Sequence, residues 1–302
     1  MVDTIFITSL IAATLRLAVP IIISAEGEVI TERAGVINVG IEGIALLGGF
    51  IATYVSYLTQ NPWIAILAAV ITGVVLGLIN AVISLHPKGD QFLVGIGMNT
   101  FALGFTAYGL IVIWGELSAG ASPRVPKTPK IQLPFEGAFS EISLFVVFMI
   151  LLALVIYFIL FKTNVGLRLR SVGENPAAAD SAGINVYRTR LFAVVIGSAL
   201  AALGGAYLTI DQHGRFQRYM TTGGFSALAI VVFGNWNPLI VLGGGLIFGF
   251  GEALVSRLAP ALGVGLAPQF IQMVPLILTI VIYSLRKKVT QPEALGKPYI
   301  KE

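Results

Sequence analysis

A handful of polar side chains sit inside long apolar runs: Arg16, Asn38, Glu42, Asn80 and Asn99. An ionisable or amide group at that depth is costly unless it meets a partner or water, so each of these needs a purpose. Arg16 and Glu42, expected at similar depth on successive helices, can neutralise one another as an intramembrane ion pair. Asn38, Glu42 and Asn99, with Asn80 as a neighbour, can instead line a polar path for a solute, or the amides can act as hydrogen-bonding glue between helices. Covalent chemistry has little to work with. There is no Cys and only two His, His86 and His213, far apart, which removes thiolate nucleophiles, disulfides and a His-rich metal site. Neither paired acids nor an H-E-x-x-H helix occurs, so no catalytic residue and no metal is expected.

Those side chains have to be positioned by a membrane protein. Of 302 residues 56% are hydrophobic and 11% charged, whereas a wetted surface takes roughly 25% charged residues. Apolar runs of about 20 residues, the length that crosses the hydrocarbon, predict spans near 5–24, 35–58, 62–85, 90–113, 142–161, 190–210, 238–257 and 268–285. A shorter apolar piece at 222–234 is either a tilted span or a re-entrant segment. The N-terminal "MVDTIF" lacks a basic region and a cleavage site, so the first span is expected to be its own insertion signal. The expected class is all-α: a polytopic transmembrane bundle of about 8–9 spans, forming one domain over residues 1–302.

Basic residues orient it. Alternating the spans puts Arg33, Lys88, Lys162, Arg168, Arg170, Arg188, Arg190, Arg286, Lys287, Lys288, Lys297 and Lys301 on one side. Arg124, Lys127, Lys130, Arg215, Arg218 and Arg257 fall on the other. The richer side is read as cytoplasmic, the N-terminus as outside and the C-terminus as inside. The net charge of +4 is therefore a membrane-orientation pattern, not a nucleic-acid footprint. The Pro-rich loop 114–141 is external and the loop 162–189 cytoplasmic. Small residues recur at helical spacing on one stripe of several spans, such as Gly35, Asn38, Glu42, Ala45, Gly49, Ala52 and Ser56, as close helix packing in lipid requires.

Within the cytoplasmic loop, Asn175 suits a helix N-cap, Pro176 the first helical position, and Gly183 a left-handed stop. The exposed face of this miniature helix, Ala177, Ala178, Ala179, Asp180, Ser181 and Ala182, carries no large apolar group with which to lie on lipid. A bare knob flanked by Arg168, Arg170, Arg188 and Arg190 suits docking into a protein cleft.

The stretches "TERAGVINVGIEGIALLGGF" (31–50) and "GLRLRSVGENPAAADSAGINVYRTR" (166–190) resemble the two signature stretches of membrane permease subunits of ABC importers. The branch is the nucleoside and simple-sugar one, related to the ribose and branched-chain amino acid permeases, and the likeness covers most of the chain. The first stretch is closer to the nucleoside-type members, since ribose-type ones tend to show Asp-Leu-Ser where this chain has Asn38, Val39 and Gly40. The resemblance implies that Asn175–Gly183 is a coupling helix docking on a separate ATP-binding cassette subunit. ATP and Mg would be bound there, and this chain lacks the G-x-x-x-x-G-K-[ST] loop. It further implies a second, homologous permease subunit forming a heterodimer, an extracytoplasmic substrate-binding protein, and a bacterial or archaeal cytoplasmic membrane. Simple sugars and riboflavin-like solutes stay open as alternatives to nucleosides. So does an ion-coupled secondary transporter, for which Glu42 and Glu252 are the available carboxylates.

Overall fold

The computed structural model describes residues 2–86, 89–115, 120–132, 141–261, 277 and 290–300. The chain order is α1 (Val2–Arg33), α2 (Ile41–Thr59), α3 (Pro62–Ser84), α4 (Gln91–Trp114), β1 (Lys130–Gln132) and β2 (Glu141–Ser143). There follow α5 (Leu144–Lys162), α6 (Asn164–Glu174), α7 (Pro176–Ser181), α8 (Val186–Ala206), a π-helix (Tyr207–His213), α9 (Gly224–Phe233) and α10 (Pro238–Ala261). Among the described residues seven helices are long and apolar enough to span a membrane. The expected span 268–285 falls outside the described residues apart from Ile277. The antiparallel β1–β2 hairpin, inside the loop expected at 114–141, is a small departure from an all-helical chain.

Local signals start the helices. Asn61, Asp90 and Ser143 each accept backbone N–H groups at the first turns of α3, α4 and α5, the usual way of satisfying otherwise orphaned donors. Two boundaries differ from expectation. Helix α1 continues to Arg33 instead of stopping near residue 24, because Glu26, Glu28 and Glu32 are buried against protein and not released into water. Helix α2 begins at Ile41, so Gly35 and Asn38 belong to an irregular link and not to its stripe.

Helix α8 forms the core, packed by α1, α2 and α3 through small residues. A Cβ placed on Gly48 would lie 2.6 Å from Ala202, and one on Gly73 2.6 Å from the Ser198 carbonyl. Lipid supplies no hydrophobic drive between helices, so backbone proximity of this kind is what holds them. Leu67, Leu93, Leu151, Phe158 and Phe192 point outward, exposed, as lipid-facing residues should. Pro20 interrupts α1 and leaves the Arg16 carbonyl without its helical donor; the Tyr207 hydroxyl donates to it at 3.0 Å.

The segment after the π-helix makes a broken crossing. Residues 214–218 run as an irregular, non-helical stretch beside residues 120–125, with bonds from Val125 N to Gly214 O (2.9 Å), Ser122 N to Phe216 O (2.9 Å) and Arg218 N to Gly120 O (3.0 Å). The chain then descends to the level of Ile21, which touches Gly223. There α9 begins and runs to the opposite end, where Trp236 meets Glu32 and Arg33. The apolar piece predicted at 222–234 is thus helical over Gly224–Phe233 and preceded by a non-helical stretch. That end of the bundle also gathers Arg170, Arg190 and Lys297, while Arg257 binds Ser9 at the far end.

Substituting Gly48 by Val would force α2 away from α8. We expect a loss of about 1–3 kcal/mol, seen as a lower thermal midpoint in detergent. Gly97→Val, with open space around it, should leave the midpoint unchanged, and equal midpoints for both variants would contradict the packing.

Candidate functional site

Two helices begin deep in the bundle with no cap of their own. Helix α2 has Gly40 at its N-cap and α9 has Gly223, neither offering a side-chain acceptor. Both are capped from elsewhere. Asn99, on α4, accepts from Gly43 N at 2.7 Å through Oδ1 and donates from Nδ2 to the Val39 carbonyl at 3.0 Å. Glu42, in the first turn of α2, accepts from Thr222 N and Gly224 N at 2.6 Å each, one on either carboxylate oxygen. An anion at a helix N-terminus is favoured both by the free N–H groups and by the helix dipole.

This arrangement replaces the expected Arg16–Glu42 ion pair. Both oxygens of Glu42 are engaged by backbone N–H groups. Arg16 is exposed, with Nε donating to the Ala12 carbonyl one turn earlier at 3.3 Å. Among the described residues the one ion pair is Lys130–Glu141, at 2.8 Å across the β1–β2 hairpin.

Asn38 and Asn80 are together, but apart from Glu42 and Asn99. Asn80 Nδ2 donates to Asn38 Oδ1 at 2.7 Å, Ser84 Oγ to Asn80 Oδ1 at 2.6 Å, and Asn38 Nδ2 to Ser198 Oγ at 3.4 Å. Asn38 N donates to Glu28 Oε1 at 2.8 Å. The cluster is buried and welds the α1–α2 link to α3 and α8.

Glu42 and Asn99 instead border a cavity of about 530 Å³, open on one side, framed by α1, α2, α4, the π-helix, the broken crossing and α10. Leu17, Ile21, Leu46 and Leu103 form apolar wall, and Gln212, His213, Ser226 and Glu252 also reach it. Its size suits a small-molecule site. A non-helical backbone at membrane depth is tolerated where it borders such a space.

At the opposite end lies a cluster that sequence reasoning missed. Glu32 accepts from the Trp236 indole N–H. Arg33 donates to the Trp236 and Asn235 carbonyls at 3.0 and 3.3 Å, and Arg190 to those of Ala34 and Lys297 at 3.1 and 3.0 Å. The spans expected at 5–24 and 35–58 leave these acids between helices, because charge normally ends a span; the i, i+4 spacing of Glu28 and Glu32 is the signal that they share a helix face.

The segment expected to dock has the caps expected of it. Asn175 accepts from Ala178 N at 3.0 Å, Pro176 opens α7, and Gly183 takes φ 82°. Asn175, Ala177, Ala178, Ser181, Ala182 and Gly183 are exposed, and Pro176 and Asp180 half-buried. Ala179 departs from the expected bare face: it is 3% exposed, packed with Val172 and Val186 of its own chain. Tyr299 packs on the same cluster, and the C-terminal strand of chain is tied down by Ala294 N to Gly173 O (2.9 Å) and Gly296 N to Gly35 O (3.1 Å).

Comparison with known proteins places this architecture. The family described as branched-chain amino acid transport system / permease component matches residues 10–283. The guanosine ABC transporter permease protein NupQ of Bacillus subtilis is 36% identical over 316 aligned positions, covering 99% of both chains. The nucleoside ABC transporter permease protein NupC of Lactococcus lactis is 33% identical, covering 97% of this chain and 96% of its own. A provisionally named glucose ABC transporter permease protein of Haloferax volcanii, TsgC13, is 31% identical with 97% and 96% covered. Similarity of this extent, on a bundle of membrane-spanning helices, assigns the chain to that permease family: it is a multi-pass membrane protein and the non-catalytic transport subunit of an ABC importer.

Proposed function

We propose that the protein carries nucleosides inward across a cytoplasmic membrane, as one half of a translocation path completed by a homologous second permease. The single observation that carries this reading is the cavity of about 530 Å³ at the level where the broken crossing turns into α9. It has an open side and draws its wall from α1, α2, α4, the π-helix, α9 and α10. The two relatives named for guanosine and nucleosides support the substrate class; the one named for glucose marks the competing class. In this reading the N-terminus is outside and the Arg33 end cytoplasmic, where a surplus of basic residues belongs. A separate ATP-binding cassette subunit receives the exposed face of α7, and a substrate-binding protein delivers solute to the outer loops. Of the four residues expected along the path, Glu42 and Asn99 hold its wall in shape by capping α2 and α9, while Asn38 and Asn80 support it from behind.

The test is reconstitution with the ATPase, the second permease and the binding protein in proteoliposomes. ATP-dependent uptake of labelled guanosine is expected, and uptake of glucose in its place would overturn the substrate assignment.

Two further outcomes follow from the geometry. Ala178→Glu, on the exposed face of α7, should abolish uptake while the protein still inserts and stays folded. Full uptake with a normally assembled ATPase would remove the docking role. In this Cys-free chain, cysteine at Thr221 should react with a water-soluble maleimide, and trapping ATP in the complex should change its rate of labelling. Cysteines at Asn38 and Leu67 should stay unreactive, the first because it is buried and the second because it faces lipid. Labelling at 38 with protection at 221 would move the path to the Asn38–Asn80 cluster.

A further inference from the structure

The polar residues first expected to meet a solute are already engaged in holding backbone. Both ends of the Asn99 amide and both oxygens of Glu42 are bonded to backbone. Other groups on the same cavity are free. The Gln212 side chain lines it, with Oε1 buried away from the open space and unpaired. His213 uses Nδ1 on the Leu208 carbonyl at 3.0 Å, leaving Nε2. Ser226 and Glu252 make no side-chain hydrogen bond among the described residues, yet both line the cavity. Gln212 and His213 end the π-helix, a widened turn that is uncommon and recurs at functional sites. It is pinned from the outer loop, where Thr128 donates to Asp211 and Lys127 Nζ donates to the Gln212 carbonyl at 2.8 Å.

Two aromatic rings complete the set. Tyr219 and Phe225 line the cavity and are 62% and 56% exposed. Tyr219 has φ 58°, a left-handed conformation that a bulky residue rarely adopts and that clusters at ligand sites. Arg218 lies over its ring, 4.7 Å from the centroid, which fixes the ring and takes one face.

We infer that Gln212, His213, Ser226 and Glu252, with the rings of Tyr219 and Phe225, form the solute-binding site of this cavity, and that its ligand is a planar N–H-bearing heterocycle joined to a hydroxylated sugar. The inference rests on reading the cavity as the translocation path, and deepens it by naming the contacts. Aromatic rings stack on a heterocycle whatever its substituents. Glu252 accepts from N–H or O–H donors, the Gln212 amide nitrogen donates, and His213 and Ser226 supply small reversible partners. The remaining wall, Leu17, Ile21 and Leu103, is apolar and would leave the hydroxyls of a free hexose unpaired on most sides.

The permease–ATPase complex in nanodiscs, without binding protein, tests this by equilibrium dialysis with labelled guanosine. Glu252→Gln and Tyr219→Ala should each weaken guanosine binding at least ten-fold, and Tyr219→Phe should restore it, since a ring without a hydroxyl still stacks. ATPase co-purification and the ligand-free thermal midpoint report folding, and Glu252→Asp serves if the Gln variant does not assemble. Wild-type guanosine binding that none of these variants alters would overturn the site but leave the nucleoside reading standing. Binding of glucose and not guanosine by the wild type would overturn both.

Discussion

Backbone at membrane depth has no water to satisfy it, so wherever a helix breaks there the protein must provide every hydrogen bond itself. This fold breaks its helical order where α1 gives way to α2 and again between the π-helix and α9, and one side chain serves the junction of the two. Glu42 sits in the first turn of α2 and binds the first N–H groups of α9. Asn99 in turn holds the first turn of α2. The cavity exists because these starts are secured, since an uncapped α9 would have to retreat toward the non-helical stretch before it or fill the space with its own backbone. The carboxylate is hydrogen-bonded without a cationic partner, because two backbone N–H groups and a helix dipole stand where an arginine would otherwise be needed.

The rest of the bundle supplies rigidity around that junction. Helix α8 is close to α2 and α3 through Gly48 and Gly73, and its continuation as a π-helix brings Tyr207 to the carbonyl that Pro20 leaves free on α1. Prolines are tolerated inside membrane helices when a neighbour re-satisfies the freed group in this way. The same widened turn then directs Gln212 and His213 to the cavity. A packing requirement and a site requirement are thus met by one irregularity.

Most of the helices were legible in the sequence, because apolar runs of membrane length leave few alternatives. The cap signals of α7 were legible as well, since Asn175, Pro176 and Gly183 each constrain only their own neighbours. What could not be read was depth and direction. Asn38 looked like a stripe residue of α2 because its spacing from Glu42 is helical, but Gly35, at φ 87°, ends one helix before the next begins. Glu26, Glu28 and Glu32 fell between expected spans because hydropathy measures water and not protein burial. Arg16 and Glu42 share a level by count of residues, yet a pair needs facing azimuths, which periodicity on separate helices does not set. Gln212 and His213 were hidden by the π-helix, which shifts the register that a regular α8 would impose.

The end of the bundle that carries Arg33 and α7 is tied together by short contacts. Ala179 is buried against Val172 and Val186, and Tyr299 closes the same cluster, so α7 is one rigid unit with the end of α6 and the start of α8. Residues 290–300 then bind this unit to the α1–α2 link, through Gly173 on one side and Gly35 on the other, while Thr290 N reaches Asn235 Oδ1 beyond the end of α9 at 2.9 Å. A displacement of α7 therefore meets both the link that leads into Glu42 and the far end of the helix that Glu42 caps. Packed interiors transmit such shifts as discrete rearrangements and do not absorb them by continuous deformation. Even the irregular stretch 214–218 is anchored on that route, with Phe216 fully buried edge-on to Phe50 and its neighbours hydrogen-bonded to residues 120–125.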